Sequence, residues 1–375
     1  MSASHPQRVL LATHTFAFWG GLQDWAVGMA RGLKTLGVEV GFVTNNERME
    51  QLAAPFSAET FLIDWSDWRS DVSRIMDSGP WDVVFSQPFG SRELGVELKT
   101  RFGVPLVVMC HGNNSDSVYA WGGVADGILL ASTSLVRTMV DFGHVEPRKV
   151  AVLPNGVPDE FFEEELASFE ERLTPDGRSS LVVASRLAVD KLNQVPAMEL
   201  LVSTLLRQPE VRSISIEVLG GGPMRSVYES RFSALALSEP RVQVDMVGWV
   251  DVNTVKEHMR RALFTVVGGV SGTQSVSLGT ACLGAGIRCV AGVSTPDNMD
   301  AVLGTNFGDH AVLDIDSRKI AADVQWMMEP NNYTAFQQVY GPLTRSERSH
   351  TAVARRALDL LTEAVNRANG EDRDD

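Results

Sequence analysis

Two cations carry the strongest chemical signal in the chain. Arg186 and Lys191 follow a short apolar run, Leu181 to Ala184, in the stretch SLVVASRLAVDKLN. An arginine fork and a lysine point charge just past a strand suit a diphosphate, because each engages different oxygens. Each such charge-assisted hydrogen bond contributes roughly 1.5–3 kcal/mol. Asp190 stands beside them, so a surface ion pair is the competing explanation. One strand later, VLGGGPMRS sets Gly221 and Gly222 ahead of a proline at a helix start. Further on, VVGGVSGTQSVSLGTACLGAG sets a loop with Thr273, Gln274, Ser275 and Val276 before a helix of small residues. The amides at such a helix start receive phosphate oxygens. Its side chains are small and neutral and supply no acid or base.

The first half holds a second group of candidates. In FAFWGGLQDW, Gly20 and Gly21 open a helix, where backbone amides can approach an anion closely because no Cβ intervenes. His111, in CHGNNSD, follows a buried VVMC run immediately; a hydrogen-bonded structural histidine is the alternative there. Asn113, two residues on, joins it as a candidate acceptor contact. Trp19 and Trp25 suit stacking on a sugar or a flat aglycone, or burial in a core. Pro154-Asn155-Gly156 is read as a turn.

These residues need elements to position them. In the first half, runs at 8–13, 38–44, 59–64, 81–86, 104–110, 126–132 and 149–154 are short, continuous and apolar. Helical patterns separate most of them, and RELGVELKTRFG and TSLVRTMVDFG end in glycine. Such alternation predicts an α/β architecture, a parallel sheet covered on both faces. The charged segment DEFFEEELASFEERLTPDGRSS interrupts it. The alternation resumes with strands expected at 180–185, 214–220, 242–248, 263–269, 287–292 and 311–315. The expected organisation is a first Rossmann-like domain over 1–165, a linker over 166–179 and a second over 180–345. An amphipathic helix over 346–370 and a disordered tail over 371–375 complete it. Ligands in two doubly wound sheets bind beyond the carboxyl ends of the strands, where the candidates lie.

Composition narrows the class. The chain has 375 residues, 44% hydrophobic and 21% charged, too long for one ordinary core. With 33 Lys plus Arg against 47 Asp plus Glu, its formal charge of −14 disfavours nonspecific nucleic-acid binding. A small anion in a local basic pocket remains compatible with that field. No run reaches the roughly 20 apolar residues of a membrane span, and the N-terminus does not read as a signal peptide. Peripheral membrane contact stays open. Cys110, Cys282 and Cys289 form no metal pattern and no paired framework, which points to a reducing cytoplasm.

The ordered set of motifs resembles the retaining nucleotide-sugar glycosyltransferases of the GT-B fold, family four in particular. The resemblance rests on GGLQDWAVGMARGLKTLGVEV, the histidine after the fifth strand, PNGVP, SRLAVDK, VLGGGP, VGWVD and the C-terminal helix. It implies two tandem Rossmann-like domains facing a cleft, with that helix crossing back to the first. It gives Arg186 and Lys191 the donor diphosphate, UDP- or GDP-linked, and places Gly20 and Gly21 against phosphates and acceptor. His111 would lie near the transferred sugar, as a catalytic residue with the two cations. No cofactor or metal is implied, and the acceptor is a small molecule, a glycan or a lipid-linked compound. The family carries two glutamates eight residues apart, the second binding ribose. Aligning the glycine that ends their helix with Gly286 puts Thr273 and Ala281 there, and Leu192 replaces the usual glycine after the lysine. Three alternatives stand beside transfer: a non-catalytic nucleotide or sugar-phosphate binder, a transferase acting on a modified nucleic-acid base, and a nucleotide-sugar epimerase.

Overall fold

The computed structural model describes residues 5–16, 19–87, 89–112, 117–163 and 165–370. The chain divides into two compact units: Met1–Pro158 with Ser349–Asp375, and Asp159–Arg348. The tail expected at 371–375 lies outside the described residues.

The first unit is built on a seven-stranded sheet: β1 (Arg8–Thr13), β2 (Glu39–Thr44), β3 (Glu59–Leu62), β4 (Val83–Ser86), β5 (Leu106–Cys110), β6 (Gly127–Leu130) and β7 (Val150–Val152). Their order is β3-β2-β1-β4-β5-β6-β7, and every pairing is parallel. The period of two along β1 explains its two-sided burial. Val9 and Leu11 join one apolar cluster, Leu10 and Ala12 the other. The first cluster is closed by the helices Gly21–Thr35 and His350–Ala368. Gly28 and Gly32, four apart on one face, admit this contact. A Cβ on Gly28 would meet the His350 ring, and one on Gly32 the Ala354 methyl. The chain reverses direction across the sheet between β1 and β4, so the ligand crevice of such a fold lies beyond their carboxyl ends.

The second unit repeats the plan with six strands: β8 (Arg178–Ala184), β9 (Ser213–Leu219), β10 (Val242–Gly248), β11 (Phe264–Val267), β12 (Ala281–Ala285) and β13 (Val290–Val293). The order is β10-β9-β8-β11-β12-β13, with β13 antiparallel to β12. Here the switch point falls between β8 and β11.

Three expectations for this unit are corrected. The segment expected as a helix up to Gly286 is a helix, Val270–Ser277, followed by strand β12. Gly279 stops the helix, because its left-handed φ of 64° ends the ladder. The strand expected over 287–292 pairs only from Val290, and 311–315 joins no ladder, with Val312 exposed. The segment expected as a linker, 166–179, belongs to the second unit. Arg172 is buried and donates to the carbonyls of Ala167, Ala262 and Leu278 and to Thr280 Oγ1. Its charged neighbours concealed an anchor whose guanidinium is spent on backbone carbonyls and a hydroxyl.

Candidate functional site

At the switch point of the second sheet, Lys191 lies in the turn after β8 and is largely buried. Its Nζ meets Asp309 Oδ1 at 2.8 Å, with side-chain exposures of 13% and 12%. Asp309 also accepts the Ile287 amide at 2.9 Å. Its other oxygen lies at the N-cap of the Val270–Ser277 helix, where a Cβ on Gly269 would stand 2.5 Å away. A carboxylate therefore occupies the place where a lysine and a helix N-terminus converge. Arg186 stays exposed and pairs with Asp190 at 2.8 Å, as the surface explanation anticipated. The two cations give this edge no net positive charge of their own, because each has an acidic partner.

Gly221 and Gly222 also serve packing. A Cβ on Gly222, whose φ is 149°, would sit 2.5 Å from the Leu187 carbonyl oxygen, and one on Gly221 would be 2.7 Å from Trp249 Nε1. These contacts hold the post-β9 loop against the post-β8 turn, with Leu187 N donating to the Gly221 carbonyl at 3.0 Å. Trp249, at the end of β10, remains 72% exposed beside them; its place in VGWVD was the one signal for it. Thr273, Ser275 and Val276 are buried, and Ser275 Oγ bonds Thr265 Oγ1 and the Thr280 carbonyl. Gln274 is the one side chain of the quartet at the surface.

In the first unit, His111 does follow β5, and two amides clamp its ring. Nε2 faces Gln87 Oε1 at 2.5 Å and Nδ1 faces Asn155 Oδ1 at 3.3 Å. Gln87 comes from the end of β4, and Asn155, read from sequence as a turn residue, is buried toward the histidine. Trp25 supports the ring edge-on at 4.6 Å. At 3% exposure Trp25 is core and offers no stacking surface, which corrects its assignment. Trp19 is half-buried, donates Nε1 to Asp24 at 2.9 Å and carries the Arg48 guanidinium over its ring at 4.6 Å. Asn113 lies outside the described residues. Gly20 and Gly21 open the helix as expected, and a Cβ on Gly20 would meet only Gln23 Oε1, at an ordinary 3.5 Å.

Sequence reasoning missed a cavity of about 720 Å³ at the carboxyl ends of β1, β2 and β3. His14, Phe16 and Trp65 wall it, and Glu47 and Asp64 stand on its rim. His14 stacks on Trp65, with centroids 5.1 Å apart and planes 12° apart. Its Nδ1 accepts the Gly90 amide at 3.0 Å, and burial lowers its pKa. The neutral ring thus carries its proton on Nε2. A histidine one residue past the first strand was the available signal.

Residues 19–161 match the family model described as Glycosyltransferase Family 4. A glycosyltransferase from Rickettsia africae ESF-5 superposes with a TM-score of 0.69 at 11% identity, covering 95% of this chain and 98% of that one. The Anabaena protein HepE in complex with UDP does so with a TM-score of 0.67 at 13% identity, covering 95% and 99%. Its complex with UDP-glucose gives 0.64 at 12% identity, covering 96% and 100%. The chain has the GT-B fold and resembles the family-four glycosyltransferases. No curated protein matches it in sequence.

For a family-four-like chain, the helix boundary changes where the paired acidic positions fall. Gly286 follows a strand and ends no helix, whereas Gly279 does end one. Taking Gly279 as the reference moves the pair seven residues back, from Thr273 and Ala281 to Val266 and Gln274. Val266 is buried in β11, and Gln274 is half-buried on its helix.

Proposed function

We propose that the chain transfers a sugar from a nucleotide-diphosphate sugar to an acceptor hydroxyl with retention at the anomeric carbon. The observation that carries this reading is Lys191 at the second sheet's switch point, beside the N-terminus of the Val270–Ser277 helix. In this reading the diphosphate takes up Lys191 and the helix amides, and Arg186 turns from Asp190 to an outer phosphate oxygen. Gln274 meets the ribose, and Trp249 offers its open face to the base. Gly20 and Gly21 present amides to the ligand, and His111, held by neutral amides, orients the sugar. The UDP and UDP-glucose held by the Anabaena protein favour a uridine donor over a guanosine one.

The bond from the anomeric carbon to the diphosphate oxygen breaks, and the acceptor oxygen bonds that carbon from the same face. The acceptor proton passes to the leaving phosphate oxygen. Positioning and charge stabilisation supply the rate, and no protein nucleophile is required. Reduced, buried cysteines favour a cytoplasmic setting. Among the described residues no helix is long and apolar enough to cross a membrane.

The test is thermal denaturation with UDP, GDP and their sugars, followed by mass detection of donor turnover. A rise with uridine diphosphate that Gly20→Ala diminishes supports the reading, since the unit itself accommodates that methyl. A melting curve unmoved by every nucleotide overturns it.

A further inference from the structure

We propose that the cavity beside His14 binds a flat, largely apolar molecule carrying a protonated amine, and that this is the class of the acceptor. The proposal rests on the glycosyltransferase reading only where it calls that molecule the acceptor.

Three observations converge. First, the cavity lies at the carboxyl ends of β1, β2 and β3, beside the switch point of its sheet, where doubly wound folds take ligands. Its volume, about 720 Å³, suits a small molecule of several rings. Second, a strained residue backs its aromatic wall from behind. Phe89 caps the helix Gly90–Phe102 with φ 63° and ψ −135°, in the left-handed half of backbone space that a side chain resists. The topologically equivalent cap of the second unit, Gly269, has φ 64° and ψ −139°. There the conformation belongs to a glycine. In the first unit a phenylalanine adopts it, and its ring lies 5.0 Å from Phe16 and 5.8 Å from His14. Phe16 in turn leaves 77% of its surface open at the cavity mouth. The Phe89 ring backs Phe16, and packing still leaves most of Phe16 in water; a flat apolar ligand accounts for that open ring.

Third, the polar groups set the ligand's charge. Glu47 and Asp64 face the cavity, and among its described lining residues there is no lysine or arginine. The neighbouring Arg48 lies over Trp19 instead. The Ser66 amide bonds Asp64 Oδ1 at 2.8 Å and holds that carboxyl below its usual range, so it stays ionised. His14 is kept neutral and presents its Nε2 proton as a hydrogen-bond donor. Two anionic groups and no cation select an ammonium and repel phosphorylated or carboxylated acceptors. The neutral imidazole N–H receives an acceptor hydroxyl oxygen. Asn45 does not compete for the ligand, because its amide is locked to the Thr15 backbone through both ends.

The full chain is titrated with three probes that share a phenol ring and differ in charge: tyramine, ethylphenol and hydroxyphenylpropionate. Binding is followed by ligand-observed NMR. Tyramine is expected to bind about tenfold tighter than the propionate, and Glu47→Gln with Asp64→Asn, both exposed, to abolish that preference. Phe16→Ala, at an exposed ring that lines the cavity, is expected to keep Tm while weakening all three probes about tenfold. Equal binding of the two charged probes, binding of none, or a preference unmoved in the double variant overturns the proposal. UDP-induced thermal shifts on the same proteins separate the two readings. If tyramine is selected and UDP gives no shift, the cavity assignment stands and the donor assignment fails.

Discussion

Replacing Lys191 with methionine tests the diphosphate assignment, provided the cost to the fold is removed from the comparison. Lys191 and Asp309 are both nearly seven-eighths covered, so deleting the cation strands a buried carboxylate. Breaking such a pair costs about 3–5 kcal/mol. The Ile287 amide and the helix N-terminus continue to serve Asp309, which puts the loss near the lower end. At about 2–4 °C per kcal/mol for a unit of this length, about 3 kcal/mol lowers Tm by about 6–12 °C. Adding Asp309→Asn removes the stranded charge and recovers most of that fall.

The double variant then isolates the ligand. Losing one charge-assisted bond of about 1.5–3 kcal/mol weakens diphosphate binding roughly ten- to hundredfold. Calorimetry and UDP-induced thermal shifts should show wild type responding, K191M/D309N silent, and Asp309→Asn alone binding more tightly, because the competing carboxylate is gone. If the double variant keeps the wild-type increment, Lys191 is only the counter-ion of Asp309 and the diphosphate assignment is wrong.

Arg172→Met removes the guanidinium donors to the carbonyls of Ala262 and Leu278 and should cost about 3–5 kcal/mol, read as a lowered urea midpoint. His14 is held neutral by burial, so its folded pKa lies below its unfolded value of 6.5. Within the window between them the unfolded chain binds more protons, and the stability contributed is full above pH 6.5 and lost as pH falls through the folded pKa. Denaturation of wild type and His14→Asn across pH 5–7 should show the variant with the shallower slope; parallel curves would refute the neutral assignment. If Gln274 meets the ribose as proposed, Gln274→Ala should weaken UDP binding about tenfold while leaving binding of inorganic pyrophosphate unchanged. Equal losses for both would place it elsewhere.

The two sheets were legible because a strand buried on both faces has no polar alternation to blur it, as in RVLLAT and SLVVA. The misread segments share a different physics. ACLGA is a strand of small residues following a helix of small residues, and only the left-handed Gly279 separates them. Propensity does not resolve that boundary. Arg172 sits in a run whose charges describe a solvated segment, yet its own charge is spent on carbonyls brought in from residues far along the chain. No local pattern encodes such partners.

The same reasoning separates the two candidate edges chemically. Arg186 and Lys191 were visible as residue types, but their acidic partners differ in kind: Asp190 is four residues from Arg186, while Asp309 reaches Lys191 across 118 positions. The local pair is exposed and exchangeable; the distant one is covered and holds Lys191 in place before any ligand arrives. Preorganisation of this sort favours an anion that can replace the carboxylate at both the lysine and the helix amides. Asp309 already meets that requirement with one carboxylate, so a ligand that displaces it must bring more charge, as a diphosphate does. The first unit presents the opposite electrostatics, with carboxylates facing an aromatic wall. The two edges would therefore select ligands of opposite charge, a cation at the first and an anion at the second.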